Sequence, residues 1–126
     1  MSLGGLVLLA AGCAAATAAT PSFDRDIVPI LSTRCAICHM TGTEPGNMAL
    51  TPDDAYGSLV GVKSAITGLT RVVPRSPELS YLVMKIEGTQ LSAGGAGVRM
   101  PFSAPPLPAE TIQLIRDWIG AGAPKN

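Results

Sequence analysis

An all-α domain of four to five short helices joined by long loops is what this sequence predicts, and three observations predict it. Apolar residues recur at helical spacing in separate stretches, helix start and stop signals bracket those stretches, and no run alternates apolar and polar residues as a strand would. The chain has 126 residues, enough for one domain. Charged residues are sparse at 14%, and nine Lys+Arg balance nine Asp+Glu, which argues against a general attraction to nucleic acid or to acidic membranes. Aromatic side chains are few, with two Phe, two Tyr and one Trp, a thin supply of bulk for the core of a small domain.

In chain order, residues 1–12 hold the apolar run Leu3-Gly-Gly-Leu-Val-Leu-Leu-Ala-Ala-Gly, too short to span a bilayer and followed by small residues. It reads as a signal-peptide core and not as part of the fold. Residues 13–22 are small and featureless, a tether, and the domain proper covers 23–126. Its first helix carries Ile27, Ile30, Leu31, Cys35 and Cys38 in one arc, with Asp26 as N-cap and Pro29 tolerated in the first turn. Arg34 interrupts that arc. Thr41-Gly-Thr-Glu-Pro-Gly-Asn is a turn-rich loop, after which Thr51-Pro52-Asp53-Asp54 starts a short second helix ending near Val60. Residues 61–74 show no sustained period. Ser76-Pro77-Glu78 starts another helix, whose stripe is Leu79, Leu82, Val83 and Ile86 and whose stop is Gly88. The last helix starts at Pro108, carries Ile112, Ile115, Trp118 and Ile119 on one side, and ends by Gly120 and Pro124.

Cys35-Ala-Ile-Cys38-His39 stands out from the rest, because Cys-x-x-Cys-His is the attachment signature of c-type haem. At helical spacing Cys35, Cys38 and His39 share a face and can meet one flat ligand. The thiols then form thioethers with the vinyl groups, and His39, the only histidine, becomes an axial ligand of the iron. A zinc site is the first alternative. It lacks a fourth ligand, since the remaining thiol, Cys13, lies in the leader. A redox dithiol is the second, without the strand–helix–strand context that a thioredoxin-like motif has. A covalently held porphyrin would also fill the core that so few aromatics leave short.

An electron-transfer haem needs a second axial ligand, and with no further histidine the leading candidate type is methionine. Four methionines follow the motif. Met40 is bonded to His39, Met48 is nine residues on, and Met84 points about 150° from its helix's apolar stripe. Met100 lies 61 residues beyond His39, far enough for the chain to circle a ring, after a glycine-rich stretch and before Pro101. The plainer alternative is that Met100 fills a gap in the core. Arg34 either extends to solvent or meets a propionate. Arg71, Arg75 and Arg99 are further propionate candidates, with solvated surface positions the plainer reading for at least two of them. Trp118 belongs to the core.

Four segments in order, Phe23-Asp-Arg-Asp-Ile-Val-Pro-Ile-Leu with the haem motif after it, Val73-Pro-Arg-Ser-Pro-Glu-Leu-Ser-Tyr-Leu, Met100-Pro-Phe and Ile115-Arg-Asp-Trp-Ile-Gly-Ala-Gly-Ala, resemble the planctomycete-type cytochrome c domain. The resemblance covers most of the chain after Pro21. It implies a cytochrome c-like fold around one covalently attached haem c, His39/Met100 axial ligation, and an electron carrier that is not itself an enzyme. Implied partners are membrane or periplasmic redox proteins, with neither a nucleic acid nor a small-molecule substrate. Two alternatives stay open. One is a haem-based sensor or peroxidase-like protein with a labile sixth ligand, and the other is the cytochrome subunit of a periplasmic dehydrogenase. Ala10-Ala11-Gly12-Cys13 resembles a bacterial lipobox, which implies lipidation at Cys13 and would account for the odd cysteine. The competing reading is ordinary signal cleavage after Ala16 or Ala18. Either places the mature protein outside the cytoplasm, in the periplasm or lipid-anchored to the membrane and facing the periplasm.

Overall fold

A computed structural model of the chain describes residues 1, 12, 14–15 and 18–126. The expected leader falls mostly, and Cys13 entirely, outside the described residues. Among those described, the secondary structure is helical and no strand forms. No helix among them is long and apolar enough to cross a membrane.

The first helix begins earlier than Asp26. Ser22 is the N-cap, in extended conformation, its Oγ accepting from the Arg25 N–H at 3.2 Å. Asp26 is instead the reciprocal partner, its carboxylate accepting the Ser22 N–H at 2.7 Å. Cap position depends on where the preceding chain leaves the helix axis, and local composition alone had favoured the acid. Residues Phe23–Ile27 are wound as a π-turn, and α1 follows as Val28–Arg34. The wider winding lies directly before Pro29, whose missing N–H and ring disfavour a regular turn there. Phe23, Ile27 and Leu31 face inward, each at most 1% exposed.

Helix α2 (Ala55–Leu59) is entered by the expected turn, in which the Thr51 carbonyl accepts the Ala55 N–H at 2.9 Å. Residues 60–73 fold back through two isolated bridges, Val60 with Val72 and Lys63 with Thr70. The helix expected from Ser76 onward is split. A short 3₁₀ turn, Pro77–Leu79, precedes α3 (Tyr81–Glu87), and Ser80 between them is extended at ψ 117°. Its buried hydroxyl explains the break, since Oγ accepts the Val73 N–H at 2.9 Å and donates to the Ser76 carbonyl at 2.9 Å. Leu79 is therefore thrown outward, 63% exposed, while Leu82, Val83 and Ile86 are buried as expected. Gly88 ends α3 at φ 81°, the left-handed position that glycine takes without strain.

Helix α4 (Ala109–Gly120) follows Pro108, buries Ile115, Trp118 and Ile119, and packs against the first helix's N-terminal turn and against α3. Phe23, Tyr56 and Trp118 stack beneath it, with ring centroids 5.1 Å apart for Phe23 and Tyr56 and 5.3 Å for Phe23 and Trp118. The polar tips of Tyr56 and Trp118 donate to the carbonyls of Ala123 and Pro124 at 2.8 and 2.9 Å, so the cluster buries no unpaired donor. Three of the five aromatics are thus used in one floor; the other two, Tyr81 and Phe102, line a cavity elsewhere.

Candidate functional site

That cavity has a volume of about 700 Å³, and Cys35, Cys38, His39 and Met100 all line it. Its walls are mostly apolar, including Leu50, Leu59, and Leu82 and Ile86 from the stripe of α3. Such a volume lies within the usual range for small-molecule and cofactor sites, which are apolar with a few placed polar groups. The fold class explains how four residues up to 65 positions apart in the chain converge. Helix α1 delivers the motif, α3 supplies a wall, and the loop after Gly88 returns Met100 to that wall.

The motif is not itself regular helix. The last residue of α1 is Arg34, and Cys35 to His39 continue as tighter turns, with the Cys38 N–H on the Cys35 carbonyl at 3.1 Å. The His39 N–H is shared between the carbonyls of Cys35 and Ala36, at 3.1 and 3.2 Å. Cys35 is half-buried and Cys38 exposed, and neither is in a disulfide. Burial pushes the Cys35 thiol up to about 11; Arg34 draws it down and Cys38 adds to the rise, and the group stays protonated at neutral pH. Burial also pulls His39 below its usual value, with Glu44 opposing and Arg71 and Lys85 reinforcing. The imidazole is therefore held neutral, the state in which a ring nitrogen carries a lone pair for a metal.

The loop after the motif is pinned under that ring. Glu44 accepts N–H groups from Thr41 at 3.0 Å and Gly42 at 3.0 Å, and it is held near pKa 2 by its own backbone N–H first and by Thr41 next. Gly46 lies against the imidazole, and a Cβ built there would come within 3.6 Å of His39 Cε1 and 3.9 Å of the Met48 methyl. Nδ1 of His39 is buried with no hydrogen-bond partner. The ring thus turns Nδ1 toward the packed loop. A neutral imidazole on the lining of an apolar cavity fits a group bound by metal coordination. Among the described residues, no three His, Cys, Asp or Glu side chains converge as a bare metal ion requires.

Met48 also lines the cavity, but it sits beside Gly46 and hence with His39. Met40 is 53% exposed. Met100, held on a separate loop, is the methionine that reaches the cavity from elsewhere in the chain, its N–H donating to the Lys85 carbonyl at 2.8 Å.

Of the candidate arginines, Arg75 and Arg99 are exposed, as the plainer reading had it, and Arg34 is exposed at the cavity edge. Arg71 is different. It is only 7% exposed and donates to the carbonyls of Ser58 at 2.8 Å, Gly46 at 2.7 Å and Asn47 at 3.2 Å. It ties the loop under His39 to the end of α2 and also lines the cavity. Tyr81 and Lys85, four apart on α3 and both lining the cavity, escaped the sequence reading. Their signal was an i, i+4 polar pair flanking an apolar stripe just before a glycine-rich loop. No protein-family model, curated protein or solved structure matches this chain.

Proposed function

We propose that the chain is an exported single-haem c-type cytochrome that carries one electron at a time between redox partners. One observation carries the reading: the two thiols, the sole histidine and Met100 line a single apolar cavity. In this reading Cys35 and Cys38 hold haem c through thioethers, and His39 and Met100 provide nitrogen and sulfur to its iron. The bound haem supplies a one-electron couple, which His/Met ligation sets toward higher potential. The apolar walls offer the ring a hydrophobic bed, and the packed His39 loop keeps the imidazole oriented through a change of charge. The likeness to the planctomycete-type cytochrome c domain, the cytochrome c-like fold, and membrane anchoring through Cys13 belong to the same proposal.

The test is an absorption spectrum, oxidised and reduced, of protein co-produced with cytochrome c maturation machinery. Covalent haem with the weak long-wavelength sulfur-to-iron band is expected, and Met100→Ala should abolish that band and lower the potential. Covalent haem without the band, in a high-spin form that binds carbon monoxide, overturns the carrier reading in favour of an open-site sensor or peroxidase-like protein. The mass of the mature chain decides lipidation at Cys13 against cleavage after Ala16 or Ala18.

A further inference from the structure

The loop that brings Met100 to the cavity has little core of its own. Leu91, Val98 and Phe102 on and around it are 68%, 52% and 66% exposed, so hydrophobic burial does not hold it. Side chains of α3 and the following turn do. Lys85 Nζ donates to the carbonyls of Ala96 at 3.0 Å and Val98 at 2.5 Å, and the same residue's own carbonyl accepts the Met100 N–H at 2.8 Å. Tyr81 Oη accepts the Ala96 N–H at 3.0 Å and donates to the Ala96 carbonyl at 3.2 Å. Gln90 Nε2 donates to the Gly97 carbonyl at 2.9 Å. The approach is close enough that a Cβ on Gly95 would sit 2.6 Å from both the Gln90 carbonyl and the Tyr81 ring. These are main-chain grips, two of them charge-assisted, and together they fix backbone from Gly95 to Met100.

We infer that Lys85, assisted by Tyr81, is a positioning residue that latches the Met100 loop and so keeps the sixth coordination position closed to external ligands. The inference rests on the proposed haem and its His39/Met100 ligation, and it concerns what keeps the sulfur in place. A ligand on a loop without the latch would exchange between bound and free, and the fraction of time free sets how readily carbon monoxide enters. Lys85 therefore decides between an electron carrier and a ligand-binding haem protein built on the same cavity.

The experiment compares intact holo-protein with Lys85→Met and Tyr81→Phe, reading the sulfur-to-iron band, ferrous carbon monoxide affinity, covalent haem content and thermal midpoint. Lys85→Met should weaken the band and raise carbon monoxide affinity by about tenfold or more, the size expected from loss of a charge-assisted hydrogen bond. Tyr81→Phe, which removes one oxygen and keeps the ring, should move both readouts the same way by less, with covalent haem content equal to the parent. A lysine that merely supports the fold would lower the midpoint and leave band and affinity unchanged in the folded population. That result, with the band present in the parent, overturns the latch alone; should Lys85→Met not fold, unchanged band and affinity in Tyr81→Phe overturn it. A parent without the band overturns the ligation reading and the latch with it.

Discussion

The His39 loop and the Met100 loop present side chains to one cavity and are held in opposite ways. The first is stitched into the body of the fold from several directions. The Leu50 N–H bonds the His39 carbonyl at 2.7 Å, Leu50 is 2% exposed, Glu44 closes the turn, and a buried Arg71 grips residues 46 and 47 from the 60–73 segment. The second hangs from α3 and the turn after it, by a few polar side chains that grip its backbone. Rigidity by burial is distributed, so no single bond decides it. Rigidity by a few polar grips is concentrated, and one substitution can release it. On the proposed function, the histidine side is a fixed support and the methionine side is where affinity and potential are tuned.

Removing the common floor should break both sides at once. Trp118→Ala deletes a fully buried side chain that stacks on Phe23, and should cost about 3–5 kcal/mol in chemical denaturation, with both loops loosening together. A stable variant that loses only the Met100 side would refute the shared floor. Next, Arg71→Met leaves three carbonyls without their donor and should cost about 2–3 kcal/mol. Its urea midpoint should fall while the sulfur-to-iron band of the holo-protein persists, because Arg71 grips the His39 loop and the end of α2 and makes no hydrogen bond to the Met100 loop.

Gly95→Ala tests the other side. The added methyl meets backbone and ring at 2.6 Å, so the loop must shift, costing about 1–3 kcal/mol and weakening the Met100 signature with little effect on His39. The smallest effect is expected at Glu44, which is exposed but held near pKa 2 against about 4.3 in an unfolded chain. A depressed carboxylate pKa contributes stability above the unfolded value and loses it as pH falls through the folded one. Glu44→Gln should thus be less stable than the parent above about pH 4.3, with the difference closing toward pH 2. A difference that persists unchanged below pH 2 would show that the carboxylate charge is not what closes the turn.

The chain's local patterns were legible where physics acts over a few residues. The stripe of α3 from Leu82 onward, its stop at Gly88, the turn from Thr51 that leads into α2 and the inward face of α4 all follow from side-chain spacing and backbone preference. The sequence also singled out Cys35, Cys38, His39 and Met100, which line one cavity, because thiol and imidazole are rare in this sequence and their chemistry limits what they can do together. The misplaced elements share one cause. Asp26 as cap and Leu79 in the stripe each depended on a partner distant in the chain or on where the chain turns.

By itself, then, the sequence determined the helical class, the Cys35, Cys38 and His39 cluster, and Met100 as the candidate to meet it. Tertiary structure alone decided that Ser80 breaks the third helix, that Arg71 is buried under the histidine loop, and that Lys85 and Tyr81 grip the methionine loop. The physical reason is that periodicity and capping are written within a turn or two of chain. A hydrogen bond from a side chain to a distant carbonyl exists only after the backbone has folded to present that carbonyl.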